Sequence, residues 1–136
     1  MKRIGQLVLA GVVAVIVVLG LGYAWGASGK STMQTALDDA RQRLDLAEAR
    51  GLILDARVSL YNMNFGDASR RFEEAKDPLR RIRQRLVDAG NTDAVRSLSA
   101  ALEHLDEAQR LAGKLDPASN SKAGEALEAV RVATSR

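Results

Sequence analysis

Residues 24–32 read AWGASGKST. The spacing Ala-x-x-x-x-Gly-Lys-Ser is a relaxed form of the phosphate-binding loop, in which backbone N–H groups cradle phosphates and the lysine reaches them. Further on, Leu52-Ile53-Leu54-Asp55 mimics the apolar run and aspartate that hold magnesium in such enzymes. A working loop of this kind joins a buried strand to a helix inside a sheet. The apolar run before it is about four times the usual strand length, and the downstream pattern contains no strands to build that sheet. The segment is therefore read as a hinge in which Lys30 meets lipid head groups and Ser31 caps the next helix. A nucleotide-binding enzyme built on residues 24–31 is the remote alternative.

His104 is the one histidine, and Glu103, Asp106 and Glu107 surround it. Carboxylate–histidine di-metal sites in helical bundles need a second such motif on a facing helix, and none is present. No second histidine is present for a histidine-based shuttle either. There is no cysteine, which excludes disulfides, thiolate zinc sites and covalent haem attachment. No catalytic, cofactor-binding or metal-binding residue is predicted, and His104 is assigned to a solvated helix face.

Arg80, Arg81, Arg83 and Arg85 lie in PLRRIRQRL, with Arg70, Arg71 and Lys76 nearby. Phe72, Leu79, Ile82 and Leu86 occupy the opposite face. A basic amphipathic helix can bind anionic lipid or an acidic partner. The plainer reading is a solvated face balanced by Glu73, Glu74 and Asp77.

These residues must be positioned by helices. Two prolines, 4% aromatics and abundant Ala, Leu, Arg and Glu favour them. Residues 4–25 carry no charge. At helical rise they reach about 33 Å, against a hydrocarbon core of about 30 Å. In lipid the backbone must satisfy itself, so this valine-rich run is expected to be helical. It is longer than a signal-peptide core, which predicts an uncleaved signal anchor. Tyr23 and Trp25 are the expected interface anchors, with Lys30 beyond them. Gly22-x-x-x-Gly26 has the small-residue spacing that lets spans approach one another.

Lys2 and Arg3 precede the run, and Asp38 and Asp39 follow it. The positive-inside rule then places residues 1–3 in the cytoplasm and residues 32–136 outside, after a Gly/Ser joint at 26–31. The expected location is a bacterial inner membrane with a periplasmic domain. Setting Lys2 and Arg3 aside, the remaining basic residues nearly balance the 17 acids. The high pI therefore does not signal nucleic acid.

Beyond the joint, Ser31 and Gln34 form a capping-box pattern. Two apolar seams follow at alternating steps of three and four. One is Leu37, Ala40, Leu44, Ala47, Gly51, Leu54, Val58 and Tyr61. The other is Leu46, Ala49, Ile53, Ala56, Leu60 and Met63. They lie on nearly opposite sides of one helix, which predicts burial on both sides. Leu46, Ile53 and Leu60 are the first candidates for a protein contact, and the alternative is a core inside the same chain. Arg80, Arg81, Arg83 and Arg85 are the second candidate surface.

A second helical pattern carries Ala68, Phe72, Ala75, Leu79, Ile82 and Leu86; Asp77-Pro78 is the pattern of a new helix start, but the seam keeps its phase across Pro78, which favours one kinked continuous helix over two. It ends at Gly90-Asn91. Thr92 is the expected cap of a third helix, which ends at Gly113. The final segment, residues 123–133, is expected to be short and weakly anchored.

Phe65, Ala68, Phe72, Ala75 and Pro78, within NFGDASRRFEEAKDP, resemble the second half of a tetratricopeptide repeat and its closing proline. The resemblance covers about 15 residues, and no other segment repeats it at the ~34-residue period. It implies a helical hairpin that binds protein segments. The fold expected from all this is all-α: one N-terminal transmembrane helix, then an antiparallel bundle of three to four helices. The expected function is a non-enzymatic membrane-anchored scaffold binding other membrane or periplasmic proteins, or itself. An accessory subunit of a large secretion, respiratory or photosynthetic complex is the alternative.

Overall fold

The computed structural model describes the backbone of residues 2–135 and the side chains of residues 32–135. Its elements are four helices: α1 (Lys2–Tyr61), α2 (Phe65–Asp88), α3 (Thr92–Ala112) and α4 (Ser119–Thr134). No strand occurs among the described residues. The chain divides into two compact units, Met1–Ala40 and Arg41–Arg136.

In the first unit the described side chains, from Thr32 to Ala40, are all exposed. Among the described residues no helix is long and apolar enough to cross a membrane. The side chains of residues 4–25, with Tyr23, Trp25 and Lys30, lie outside the described residues. The α1 backbone is assigned as helix through residues 26–31, so α1 does not begin at the Ser31 capping pattern.

The second unit is a helical bundle. Each helix buries a seam with steps of three and four, and alanines recur along every one. On α1 it is Ala49, Ile53, Ala56 and Leu60; on α2, Phe65, Ala68, Phe72, Ala75, Leu79 and Ile82. On α3 it includes Leu98, Ala101, Leu105, Ala108 and Ala112, and on α4 Ala123, Ala126, Val130 and Ala133. Such seams pack as coiled-coil layers, and the alanines let helix axes come close where larger side chains fill the gaps between layers.

Local signals close the helices. Asn64 caps α2 by accepting from the Asp67 N–H at 3.2 Å, and Asn91 caps α3 by accepting from the Ala94 N–H at 3.2 Å. The α3 cap is thus Asn91, and Thr92 is the first helical residue. Gly90 adopts φ +71, and the Asn91 N–H reaches back to the Leu86 carbonyl. That is the reversal a glycine permits after a helix. Helix α2 runs unbroken through Pro78, which is buried.

The α4 expectation needs correction. This helix spans Ser119–Thr134 and contributes five buried residues. Ser119 donates to the Ala108 carbonyl at 2.7 Å, tying α4 to α3. Small side chains anchor α4 because α3 lies close enough to bury them, and a reading weighted toward large residues undervalues them.

Candidate functional site

The two seams of α1 have different fates. Ile53 and Leu60 are 0% and 6% exposed inside the bundle core, and Leu46 packs partly buried against it. These residues therefore face the core of their own chain, the alternative to the partner contact expected of them. Ala56 lies in the same core, and Leu52 packs partly buried against it.

The other seam stays open. Within the second unit it comprises Leu44, Ala47, Gly51, Leu54, Val58 and Tyr61, all exposed. Leu44 is 68% accessible, Leu54 50%, Val58 60% and Tyr61 88%. Single exposed apolar residues are ordinary, whereas a contiguous apolar line marks an interaction surface. Sequence reasoning took this line for a buried face. The missed signal is its edging: Arg43, Glu48, Arg50, Asp55 and Arg57 flank it on both sides, as charges flank a narrow coiled-coil seam.

Those flanking charges also fasten α1 to its neighbours. Arg50 donates to Thr134 Oγ1 at 3.0 Å and Arg57 to Asn120 Oδ1 at 2.8 Å, both toward α4. Glu48 meets Arg81 at 3.1 Å and Asp55 meets Arg71 at 3.7 Å, both on α2. The strip is thus the outer ridge of a helix held along both edges.

The arginine surface is partly absorbed into the fold. Arg81 donates from Nε and Nη2 to Asp45 at 3.0 and 2.8 Å, and Arg85 bonds the same carboxylate. Burial pushes the Asp45 carboxyl upward, but the two guanidiniums outweigh it and hold the group below the ordinary carboxylate range. Arg80 pairs with Asp77 at 3.1 Å on the exposed side, and Arg83 is exposed. Arg81 and Arg85 therefore serve the α1–α2 contact, while Arg80 and Arg83 remain outward.

A second polar clamp joins α2 to α3. Lys76, 4% exposed, donates to Asp106 at 2.6 Å and Gln109 at 2.7 Å and pairs with Glu73 at 2.7 Å. Burial lowers the lysine pKa, but Asp106 and Glu73 more than compensate, and the net shift is upward.

Two concavities lie among the described residues. At one end of the bundle, Leu60, Tyr61, Met63, Phe65, Pro117 and Asn120 line a cleft of about 230 Å³. This is below the size of an ordinary small-molecule pocket. Met63 and Leu115, in the two turns at this end, hold φ of 59 and 57 and expose their side chains. Left-handed backbone without glycine or asparagine is strained. Between α3 and α4, a shallow groove of about 380 Å³ includes His104, Glu125 and Val132. His104 Nδ1 lies 3.2 Å from Glu125, so the histidine, one-third exposed, meets α4 at the edge of this groove. Among the described residues no group of three or more potential ligands is placed to hold a metal ion.

Searches against protein families, curated proteins and solved structures give no match.

Proposed function

We propose that the chain is a non-enzymatic, membrane-anchored helical scaffold whose outer domain binds other proteins. The observation that carries this reading is the strip Leu44–Leu54–Val58–Tyr61, an apolar line left uncovered on a helix otherwise fixed in a bundle. A rigid helix with an exposed ridge suits helix-in-groove or helix-to-helix recognition, since its ordering entropy is spent in folding and not in binding. The resemblance of Phe65, Ala68, Phe72, Ala75 and Pro78 to part of a tetratricopeptide repeat agrees with a protein-binding role. The uncharged residues 4–25 supply the anchor, with the bundle on the outer face of a bacterial inner membrane.

A photoreactive side chain placed at Val58 in intact cells tests the binding surface. Covalent adducts are expected there and not from Gln84, an exposed position on α2. Equal yields from the two positions would remove the proposal. The anchor is tested separately: the chain is expected to stay in the membrane pellet after an alkaline carbonate wash, and release into the supernatant would refute it.

A further inference from the structure

The occupant of the α1 strip can be read from the charges beside it. Leu44, Gly51 and Val58 recur every seven residues, and Ala47, Leu54 and Tyr61 follow each by three. This is an unbroken a/d heptad pattern with Leu44 at a and Ala47 at d. Arg43, Arg50 and Arg57 then fall at g, and Glu48 and Asp55 at e. Every g position is basic and both e positions between Leu44 and Tyr61 are acidic.

That arrangement is self-complementary in one orientation only. In a parallel, in-register pair of helices, each g residue meets the partner's e residue five positions further on. Arg43 meets Glu48 of the second copy, and Arg50 meets Asp55. Each contact occurs twice by symmetry. In an antiparallel pair, g meets g and e meets e, so Arg43, Arg50 and Arg57 oppose one another and the two acids do the same. Like charges at these positions reject a partner as effectively as opposite charges select one.

The contacts within one chain leave these groups with capacity for a further pair. Arg50 and Arg57 bond to neutral oxygens of Thr134 and Asn120. Glu48 and Arg81 are each half exposed, and Asp55 lies beyond hydrogen-bond range of Arg71. The apolar positions agree. Leucine at d beside a β-branched residue at a favours two-stranded parallel packing, as at Leu54 and Val58. Ala47 and Gly51 let the backbones close in mid-strip, and a Cβ added at Gly51 meets nothing within 4 Å inside the chain.

We infer that a second copy of this chain docks on the α1 strip, forming a parallel, in-register homodimer through Leu44, Leu54, Val58 and Tyr61 with Arg43–Glu48 and Arg50–Asp55 pairs between copies. The inference rests on the reading of the strip as a binding surface and names its occupant.

The test uses the full chain purified in mild detergent, with circular dichroism and thermal melting to show that each variant keeps its fold. The altered side chains are exposed, so the bundle is expected to stay intact. Sedimentation should give a dimer, and Leu54→Glu with Val58→Glu should weaken association at least about 100-fold, because it places charge in a desolvated seam. Arg43→Glu should weaken it about tenfold, and adding Glu48→Arg should restore it by recreating the pair with reversed sign. Since the chain has no cysteine, Leu44→Cys and Val58→Cys can each be tested alone. Each should form a disulfide-linked dimer, because identical a positions face one another only in this geometry.

A monomer at tens of micromolar overturns the inference. So does a dimer that persists in the Leu54→Glu, Val58→Glu variant, which would place the contact elsewhere, for instance in residues 4–25. Failure of either single cysteine to crosslink overturns the parallel register. If the Val58 adduct in cells contains a different protein and no dimer, this inference falls and the scaffold reading stands. If Val58 gives no adduct, both fall.

Discussion

Asp45 is the clearest single-residue lever in the bundle. Its side chain is 10% exposed, and it receives both Arg81 and Arg85. Asp45→Ala leaves two guanidiniums without their carboxylate. Because Arg81 is half exposed and Arg85 about one-third exposed, water partly compensates. A loss of roughly 1–2 kcal/mol in urea unfolding is expected, below the figure for a fully buried pair. Leu115 presents the opposite case. Its φ of 57 places it where glycine or asparagine normally ends a helix, and its side chain is exposed. Leu115→Gly relieves the strain at the expense of a more flexible unfolded chain, and a net gain of about 0.5–1 kcal/mol is expected in the same measurement.

Among the helices, α4 and the outer ridge of α1 show where side-chain size misleads. Val130 is fully buried on α4, whereas Val58 is largely exposed on α1. Val130→Ala should destabilise the bundle by on the order of 2 kcal/mol, while Val58→Ala should leave the unfolding midpoint of the monomer nearly unchanged. Comparing chemical denaturation of the two variants checks this, and equal effects would contradict the packing. The sequence made the helices of the bundle legible, including the stop at Gly90, because seam spacing and turn chemistry are local; at Pro78 the seam's phase favoured continuity without deciding it. It did not reveal which α1 seam faces inward. Both seams have heptad spacing, and the choice depends on α2 and α4 gripping the Leu46–Leu60 side, a non-local contact. The strength of α4 was hidden for a related reason: Ser119, Ala123 and Ala126 look weak until α3 comes close enough to bury them. Arg81 and Arg85 were legible as charge but not as partners of Asp45, since 36 and 40 residues separate them along the chain.

For the whole molecule, the two polar clamps set opposite limits on pH. The folded Asp45 pKa lies below its unfolded value. Its contribution is complete above the unfolded value of about 3.9 and is lost as pH falls through the folded value. The folded Lys76 pKa lies above its unfolded value. Its contribution is complete below the unfolded value of about 10.4 and is lost as pH rises through the folded value. The urea midpoint should therefore hold steady across neutral pH and fall at both extremes. Asp45→Asn should flatten the acid limb, and Lys76→Met the alkaline one. A midpoint whose pH dependence is unchanged by either substitution would show that the clamps do not contribute as described.

The alternation of alanine with larger residues along the α1 seam and most of the α2 seam carries one more consequence. A ladder whose rungs repeat every seven residues looks nearly the same after a slip of one period, so apolar packing alone would let α2 ratchet along α1 at small loss. Such a slip brings Glu74 and Pro78, or Asp88 and Thr92, to the place where Arg81 and Arg85 meet Asp45. In either direction a buried carboxylate would face another acid. The charged clasp thus acts as a detent that makes one alignment of a repetitive ladder the only tenable one.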